Sequence, residues 1–174
     1  MSVRFDLDPS VTPELREGVC ALWADVSNAG GAVGFVPPVT GEDIRPELIK
    51  HLAAMAEGRA RLLVGRDADG TPLATAFLYA NTHRLMRHYL WVYSVMVHPS
   101  LQGRGVGREL MAAVEDAARA TEGIRAIRLT CRGGTGADRF YASCGYKEVG
   151  RVPGAIKVAD DDYRDDITMW QELH

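Results

Sequence analysis

The chain has no uninterrupted apolar run long enough to cross a bilayer, and Met1-Ser2-Val3-Arg4-Phe5-Asp6 lacks the apolar core of a signal peptide. Neither a membrane span nor secretion is expected. Cysteine is scarce: Cys20, Cys131 and Cys144 are an odd number without metal-ligand spacing. This argues against a disulfide framework and points to a reduced, cytoplasmic compartment. Positive charge is not in excess, with 20 Lys+Arg against 23 Asp+Glu and a net charge of −3. A bulk basic field for nucleic acid is therefore lacking. His51, His83 and His88 show no ligand spacing with other donors, so no metal is expected. Internal repeats and linkers are also missing. The 174 residues read as one domain, 1–174, long enough to bury a full core.

What is present is organised around Val95-Met96-Val97-His98-Pro99-Ser100-Leu101-Gln102-Gly103-Arg104-Gly105-Val106-Gly107-Arg108. It runs apolar strand, proline break, glycine-rich turn, then helix. Glycines 103, 105 and 107 allow close backbone approach to a ligand. The helix start offers unpaired N–H groups and partial positive charge, so the turn suits an anion, most simply phosphate. A P-loop would need Gly-Lys-Ser/Thr, but Gly107 is followed by Arg108 and Glu109. The dinucleotide fingerprint G-x-G-x-x-G fails on spacing as well.

In chain order, Val3 to Leu7 alternates as a short strand. Thr12 and Pro13 open a helix carrying Leu15, Val19, Leu22, Trp23 and Val26, which ends at Asn28-Ala29-Gly30-Gly31. Gly30 to Pro38 reads as an irregular connector. Thr40-Gly41-Glu42-Asp43 is a capping box, opening a helix with Ile44, Leu48, Ile49, Leu52 and Met55 as its expected buried stripe. Arg61–Asp67 and Pro72–Tyr79 form a hairpin about Asp69-Gly70. Tyr89 to Val97 is the most apolar strand and reads as buried on both faces. After the glycine loop comes a helix with Val106, Leu110, Val114 and Ala117, then strand Arg125–Cys131. That order implies a parallel pair joined by a crossover. Thr135-Gly136-Ala137-Asp138 suggests a second capping box for helix Ala137–Cys144. Tyr146–Val152 and Ile167–Gln171 close the sheet, joined through the acidic segment Asp160-Asp161-Asp162.

Two motifs together resemble one family. Gln102-x-x-Gly105-x-Gly107 directly follows a strand and His-Pro, and Arg139-Phe140-Tyr141-Ala142-Ser143-Cys144-Gly145-Tyr146 follows later. Both resemble the GNAT superfamily of N-acetyltransferases. The wording Gly30-Gly31-Ala32-Val33-Gly34-Phe35 is similar to its tabtoxin-resistance type. The resemblance implies an α/β fold with a mixed, mostly antiparallel, centrally splayed sheet of about six to seven strands flanked by helices. It implies acetyl-CoA as cofactor, held in a cleft between the strands Tyr89–Val97 and Arg125–Cys131. Main-chain groups of Val95, Met96 and Val97 would pair with the pantetheine arm. The N–H near Val97 would face the thioester carbonyl. Backbone groups of Gln102, Gly103, Arg104, Gly105, Val106, Gly107 and Arg108 would hold the pyrophosphate; Arg104 and Arg108 read equally well as solvated helix arginines. Tyr141 takes the family place of the acid that protonates the departing thiolate. Phe35, Trp91 and Tyr93 are candidate walls for the acceptor.

Two departures from the family pattern stand out. Gly134 occupies the place of an asparagine that often contacts the cofactor, and Trp91 that of a glutamate base. No carboxylate base is visible. Tyr93 through water, a backbone carbonyl, an acceptor-loop residue or solvent remain open for that role, while His98 reads as a turn element. Cys131 is a weak acyl carrier, because nothing near it in sequence lowers its pKa. The aspartates at 160–162, 165 and 166 could draw a cationic acceptor or simply be solvated. The implied activity is acetyl transfer from acetyl-CoA to a primary amine of a small molecule, such as an antibiotic, toxin or amino-acid-like compound. A protein or peptide N-acetyltransferase and a non-catalytic acyl-CoA-binding regulator are the alternatives. A homodimer is compatible with the family; nucleic-acid and membrane partners are not expected.

Overall fold

The structure, a computed structural model, describes residues 2–174. Its elements are β1 (Arg4–Leu7), α1 (Pro13–Asn28), α2 (Gly41–Ala56), β2 (Ala60–Arg66), β3 (Pro72–Ala80), β4 (Tyr89–Val97), α3 (Val106–Arg119), β5 (Ala126–Arg132), α4 (Ala137–Ser143), β6 (Lys147–Ala159) and β7 (Asp162–Glu172). The seven strands form one mixed sheet in the order β1-β2-β3-β4-β5-β7-β6. Only β4 and β5 run parallel; every other neighbouring pair is antiparallel.

Local chemistry sets the helix starts. Thr12 accepts from the Leu15 N–H (3.1 Å) ahead of Pro13, and the Thr40–Asp43 capping box is complete on both sides. The second expected capping box does not form. α4 is capped by Gly136 in the left-handed region (φ +82°), while Thr135 Oγ1 donates to the Arg132 carbonyl (2.9 Å). The helix starts at Ala137 as read, but with Gly136 rather than Thr135 as its cap, Asp138 falls at the second helical position and not in the reciprocal place.

Two cores sandwich the sheet. On one side α3 and α4 pack Leu110, Val114 and Tyr141 onto Leu90, Val92, Ile127, Leu129, Ile167 and Met169. On the other, α1 and α2 pack Trp23, Ile44 and Leu48 onto Leu62, Val64, Phe77 and Met96. The buried stripe of α2 differs from expectation. It is Ile44, Leu48, His51 and Ala54, whereas Ile49 is exposed. Spacings of four and three turn the helix so that a histidine faces inward.

The expectation that β4 is buried on both faces also needs correction. Its first half is buried, but Tyr93 is 40 % exposed and Ser94, Val95 and Val97 are only partly covered. A β-bulge is the cause. Phe77 pairs with Tyr93 and Thr75 with Met96, so Ser94 and Val95 together face the single residue Ala76. Ser94 takes φ +50°, uncommon for a residue with a side chain, and its carbonyl accepts from Thr75 Oγ1 (3.2 Å). The β4–β5 ladder stops just before, at Trp91–Arg128. Beyond that point β4 stays paired to β3 and β5 stays paired to β7, so the two strands diverge.

The closing ribbon is longer than the sequence pattern implied, because β6 and β7 pair over their length with ion pairs rather than apolar alternation holding the exposed part. Arg151 binds Asp165 (2.9 Å) and Glu148 (2.9 Å), Arg164 binds Asp162, and Lys157 binds Asp160 (3.1 Å).

Candidate active site

Where β4 and β5 part, a cavity of about 1070 Å³ opens. That matches the upper end of ordinary ligand pockets. The edge of β4 that faces the gap carries Val95, Met96 and Val97, and the opposite wall carries Leu129, Thr130 and Cys131. Main-chain groups on those facing edges have no strand neighbour across the gap, so an extended ligand can take the place of a strand.

Gln102, Gly103, Gly105, Gly107 and Arg108 line the same cavity. Gly103 (φ +73°) and Gly105 (φ +89°) hold left-handed conformations that side chains resist. Gly107 is fixed for another reason: a Cβ there would lie 3.1 Å from Phe140 Cζ. Gly105 caps α3 without any side-chain hydrogen bond. The first α3 amides bonded within the helix are those of Arg108 and Glu109, both to the Gly105 carbonyl (3.0 and 3.1 Å). The N–H groups ahead of them have no partner within the helix, an arrangement that can hold an anion at a helix N-terminus. The Gln102 side chain turns back, its Nε2 donating to the Val97 carbonyl (3.1 Å), and so ties the loop to the end of β4. Arg104 and Val106 do not line the cavity; Arg104 is exposed and Val106, the first residue of α3, is buried in the core.

Tyr141, on α4, faces the cavity beside Phe140. Burial pushes its phenol well above the ordinary tyrosine value, with the neighbouring Cys131 and Cys144 adding to the shift. It is therefore protonated at every working pH. Cys131 is pushed up to about 11 by burial, then by Asp138, Asp166 and Glu148, and stays a thiol. Gly134 (φ +80°) lies under Arg164, whose Nη1 would sit 2.5 Å from an added Cβ. An arginine tied to Asp162 thus fills the space beside the position where an asparagine was looked for.

On the α1–α2 side the segment Ala29–Phe35 folds over the cavity. Trp23 Nε1 donates to the Val33 carbonyl (2.8 Å) and its ring meets Phe35 edge-on at 5.8 Å. Asn28 grips Val39 through both its N–H and its carbonyl (2.9 and 2.8 Å). Phe35 and Tyr93 line the cavity, but Trp91 does not: it stacks on Tyr93 (5.7 Å) beneath the Arg128 guanidinium (4.2 Å). The acidic residues of the β6–β7 ribbon lie outside the lining. His98 is outside it too, capping the short turn Pro99–Leu101 with Nδ1 2.8 Å from Ser100 Oγ. Among the lining residues that were not site candidates from sequence are Trp23, Glu47 and His51. The signal for His51 was its place on the apolar stripe of α2, three residues after Leu48.

The sequence model of the acetyltransferase (GNAT) family matches residues 33–146, from the segment after α1 through α4. The chain belongs to the acetyltransferase (GNAT) family. Solved structures agree over nearly the whole length. A GCN5-related N-acetyltransferase from Kribbella flavida is 27 % identical, with a TM-score of 0.71 over 97 % of this chain and 98 % of that one. A protein described as a phosphinothricin N-acetyltransferase is 21 % identical, with a TM-score of 0.78 over 99 % of both chains. A Salmonella typhimurium protein named as an acetyltransferase, solved with acetyl-CoA, is 19 % identical, with a TM-score of 0.76 over 100 % of this chain and 95 % of that one. This GNAT enzyme uses acetyl-CoA as acetyl donor. Its residues fit that group: the uncapped start of α3 suits the phosphates, and the unpaired β4 edge suits an amide-bearing arm.

No helix among the described residues is long and apolar enough to cross a membrane, and no cluster of three or more metal-ligating side chains occurs among them.

Proposed function

We propose that this acetyltransferase acetylates a primary amine of a small molecule by direct transfer. The observation that carries the reading is the Ala29–Phe35 segment, pinned by Trp23, which folds over the acceptor side and makes it a walled pocket. An open groove for a polypeptide would leave that side uncovered. The walls are Trp23, Phe35 and Tyr93, with Glu47 the one carboxylate and Arg108, at the glycine loop, the one arginine of the lining. An amine on an apolar or aromatic body suits these walls better than an amino acid, whose carboxylate would find no lysine or arginine among the lining residues of the α1–α2 side.

Bound acetyl-CoA supplies an acetyl thioester, whose carbonyl carbon accepts the amine and whose sulfur leaves. The amides near Val97 would face the oxygen on which negative charge develops. Tyr141 would hold the proton that the leaving sulfur needs. Its raised pKa is no obstacle, because a thiolate released in the same water-poor site is also harder to keep ionised. Direct transfer is favoured over an acyl-enzyme because Cys131 remains a thiol.

A coupled thiol assay would test this, with arylalkylamines, the corresponding amino acids and amine-terminal peptides offered in parallel. Amines should give the highest kcat/KM. Peptides as the best acceptors would overturn the small-molecule assignment, and cofactor binding without turnover of any acceptor would favour the non-catalytic alternative. Tyr141→Phe should lower kcat by about 10²-fold; an unchanged kcat would remove Tyr141 from the acid's role.

A further inference from the structure

The sequence pattern left this enzyme without a base, since Trp91 stands where a carboxylate was looked for. The structure brings another group to the cavity wall. His51 projects from the buried face of α2 and is 7 % exposed. Its ring stacks on Phe77 of β3 (4.1 Å, 13° between planes) and lies 5.7 Å from Trp23 of α1. Its Nδ1 is 2.5 Å from the Tyr79 hydroxyl oxygen. Tyr79 is itself braced edge-on by Tyr93 (5.1 Å). One ring nitrogen is thus occupied and the ring cannot swing, leaving Nε2 as the nitrogen free for a ligand in the cavity.

We propose that His51 is the general base of the transfer, taking through Nε2 the proton that the acceptor nitrogen must lose, with Tyr79 as the positioning residue at Nδ1. This rests on the acetyl-transfer reading above. The competent tautomer carries its hydrogen on Nδ1 and donates it to Tyr79 Oη, so the Nε2 lone pair faces the acceptor. The acceptor nitrogen gives its electron pair to the acetyl carbon as the C–N bond forms, and gives a proton to Nε2. The C–S bond breaks, its pair goes to sulfur, and sulfur takes the proton of Tyr141. The proton on His51 and the vacancy on Tyr141 then cancel through water, so one amine and one thioester yield one amide and one thiol.

The other candidates are placed less well. Glu47 shares the wall but is held by Lys50 at 2.9 Å on the surface side. Tyr93 is a phenol that burial makes harder to ionise, and so a poor base near neutrality. His98 lies outside the lining. The charged and titratable groups around His51 are Glu47 and Lys50 on α2, Tyr79 on β3 and, behind it, Tyr93 on β4; Arg59 acts on Tyr79 from the start of β2, and α1 presents the uncharged Trp23. Burial outweighs the attraction of Glu47 and lowers the His51 pKa below its ordinary value, so the ring is neutral and able to accept at pH 7.

The first test needs no acetyl-CoA. ¹⁵N-resolved NMR of the histidine rings, with His51→Gln to assign the signal, should show the Nδ1–H tautomer and a titration below about pH 6.5. An Nε2–H tautomer, or titration above that value, overturns the proposal; should His51→Gln fail to fold, Tyr79→Phe, which removes the hydrogen-bond partner of the same ring, assigns the signal. In turnover at saturating amine, the wild-type kcat should fall on an acid limb that follows the same titration. His51→Gln should lose that limb and about 10²-fold in kcat, with acetyl-CoA affinity kept within about threefold. Tyr79→Phe should shift the limb to lower pH, because the imidazolium loses its hydrogen-bond acceptor. If wild-type enzyme binds acetyl-CoA and acetylates amines while His51→Gln matches it in kcat and pH profile, the base assignment falls and the acetyl-transfer reading stands. If calorimetry finds no acetyl-CoA binding by the wild type, the parent reading falls first.

Discussion

Gly105 separates two reasons for a glycine, and Gly105→Ala tells them apart. Its φ of +89° is unfavourable for alanine, yet nothing lies within 4 Å of where a Cβ would stand. The cost to the folded protein is therefore conformational only, about 1–2 kcal/mol. About 0.4–1 kcal/mol of that is offset, because alanine also restricts the unfolded chain. The net loss of roughly 1 kcal/mol should lower Tm by about 2–4 °C in a domain of this size. Binding should suffer more. The methyl group would project from the cavity wall beside the uncapped amides that start α3. Losing one charge-assisted hydrogen bond there costs about 1.5–3 kcal/mol, or roughly 10- to 150-fold in Kd. Titration calorimetry with acetyl-CoA, and with free adenosine bisphosphate as the phosphate-bearing fragment, measures this directly. Both ligands should weaken in parallel. A Kd within about threefold of wild type, alongside the expected fall in Tm, would show that the glycine serves the fold alone and that the phosphates sit elsewhere.

Thr40→Ala removes the Oγ1 half of the α2 capping box while the backbone N–H of residue 40 still donates to Asp43, and should cost about 1 kcal/mol, seen as a Tm about 2–4 °C lower; no change would mean that Asp43 alone holds the helix start. Trp23→Phe keeps the aromatic bulk but loses the donor to the Val33 carbonyl, so KM for the amine should rise while acetyl-CoA affinity stays the same. A parallel loss of cofactor affinity would mean that the segment braces the whole cavity. Because the folded pKa of His51 is depressed, its contribution to stability is full above about pH 6.5 and is lost as pH falls through the lower folded value, at up to about 1.4 kcal/mol per pH unit. Urea melts between pH 7 and 5 should show this slope in wild type and not in His51→Gln. The carboxylates held low by ion pairs or caps, such as Glu17, Asp43 and Asp165, act only below that window.

The most strongly patterned parts of the chain were legible. Tyr89–Val97 is read with its observed bounds, because a run of nine residues, all apolar or aromatic except Ser94, between a polar loop and His-Pro admits few alternatives. The parallel β4–β5 pair follows from strand, helix and strand in that order. The bulge could not be read, since Ser94 carries no signature of positive φ and the distortion depends on its pairing with β3. Gly107 also answers to Phe140, a contact between α3 and α4 that no local pattern contains. The start of the helix at Ala137 was read correctly, but the Thr135 capping box failed because Gly136, in the left-handed region, takes the cap position. Counting His51 only as a possible metal ligand hid its position on a buried stripe.

The bulge ties these features into one device. A regular β4 paired along its full length with β5 would satisfy its own main chain and leave no gap. Three ladder pairs at Tyr89, Leu90 and Trp91 hold the two half-sheets together, and the extra residue after Tyr93 turns β4 away from β5. Each half-sheet keeps its other neighbour, so the opening does not have to be held by the ligand. The same turn that frees the main-chain edge of Val95–Val97 from β5 aims the strand end at Gln102, whose amide clamps the glycine loop to the Val97 carbonyl. Backbone geometry around Ser94 thus places the anion cradle and the main-chain edge in register, while α1 and α2 independently supply the walled side that bears His51. A change that straightened β4 should therefore weaken cofactor binding while leaving the His51–Tyr79 contact in place, because that contact belongs to the α2–β3 half alone.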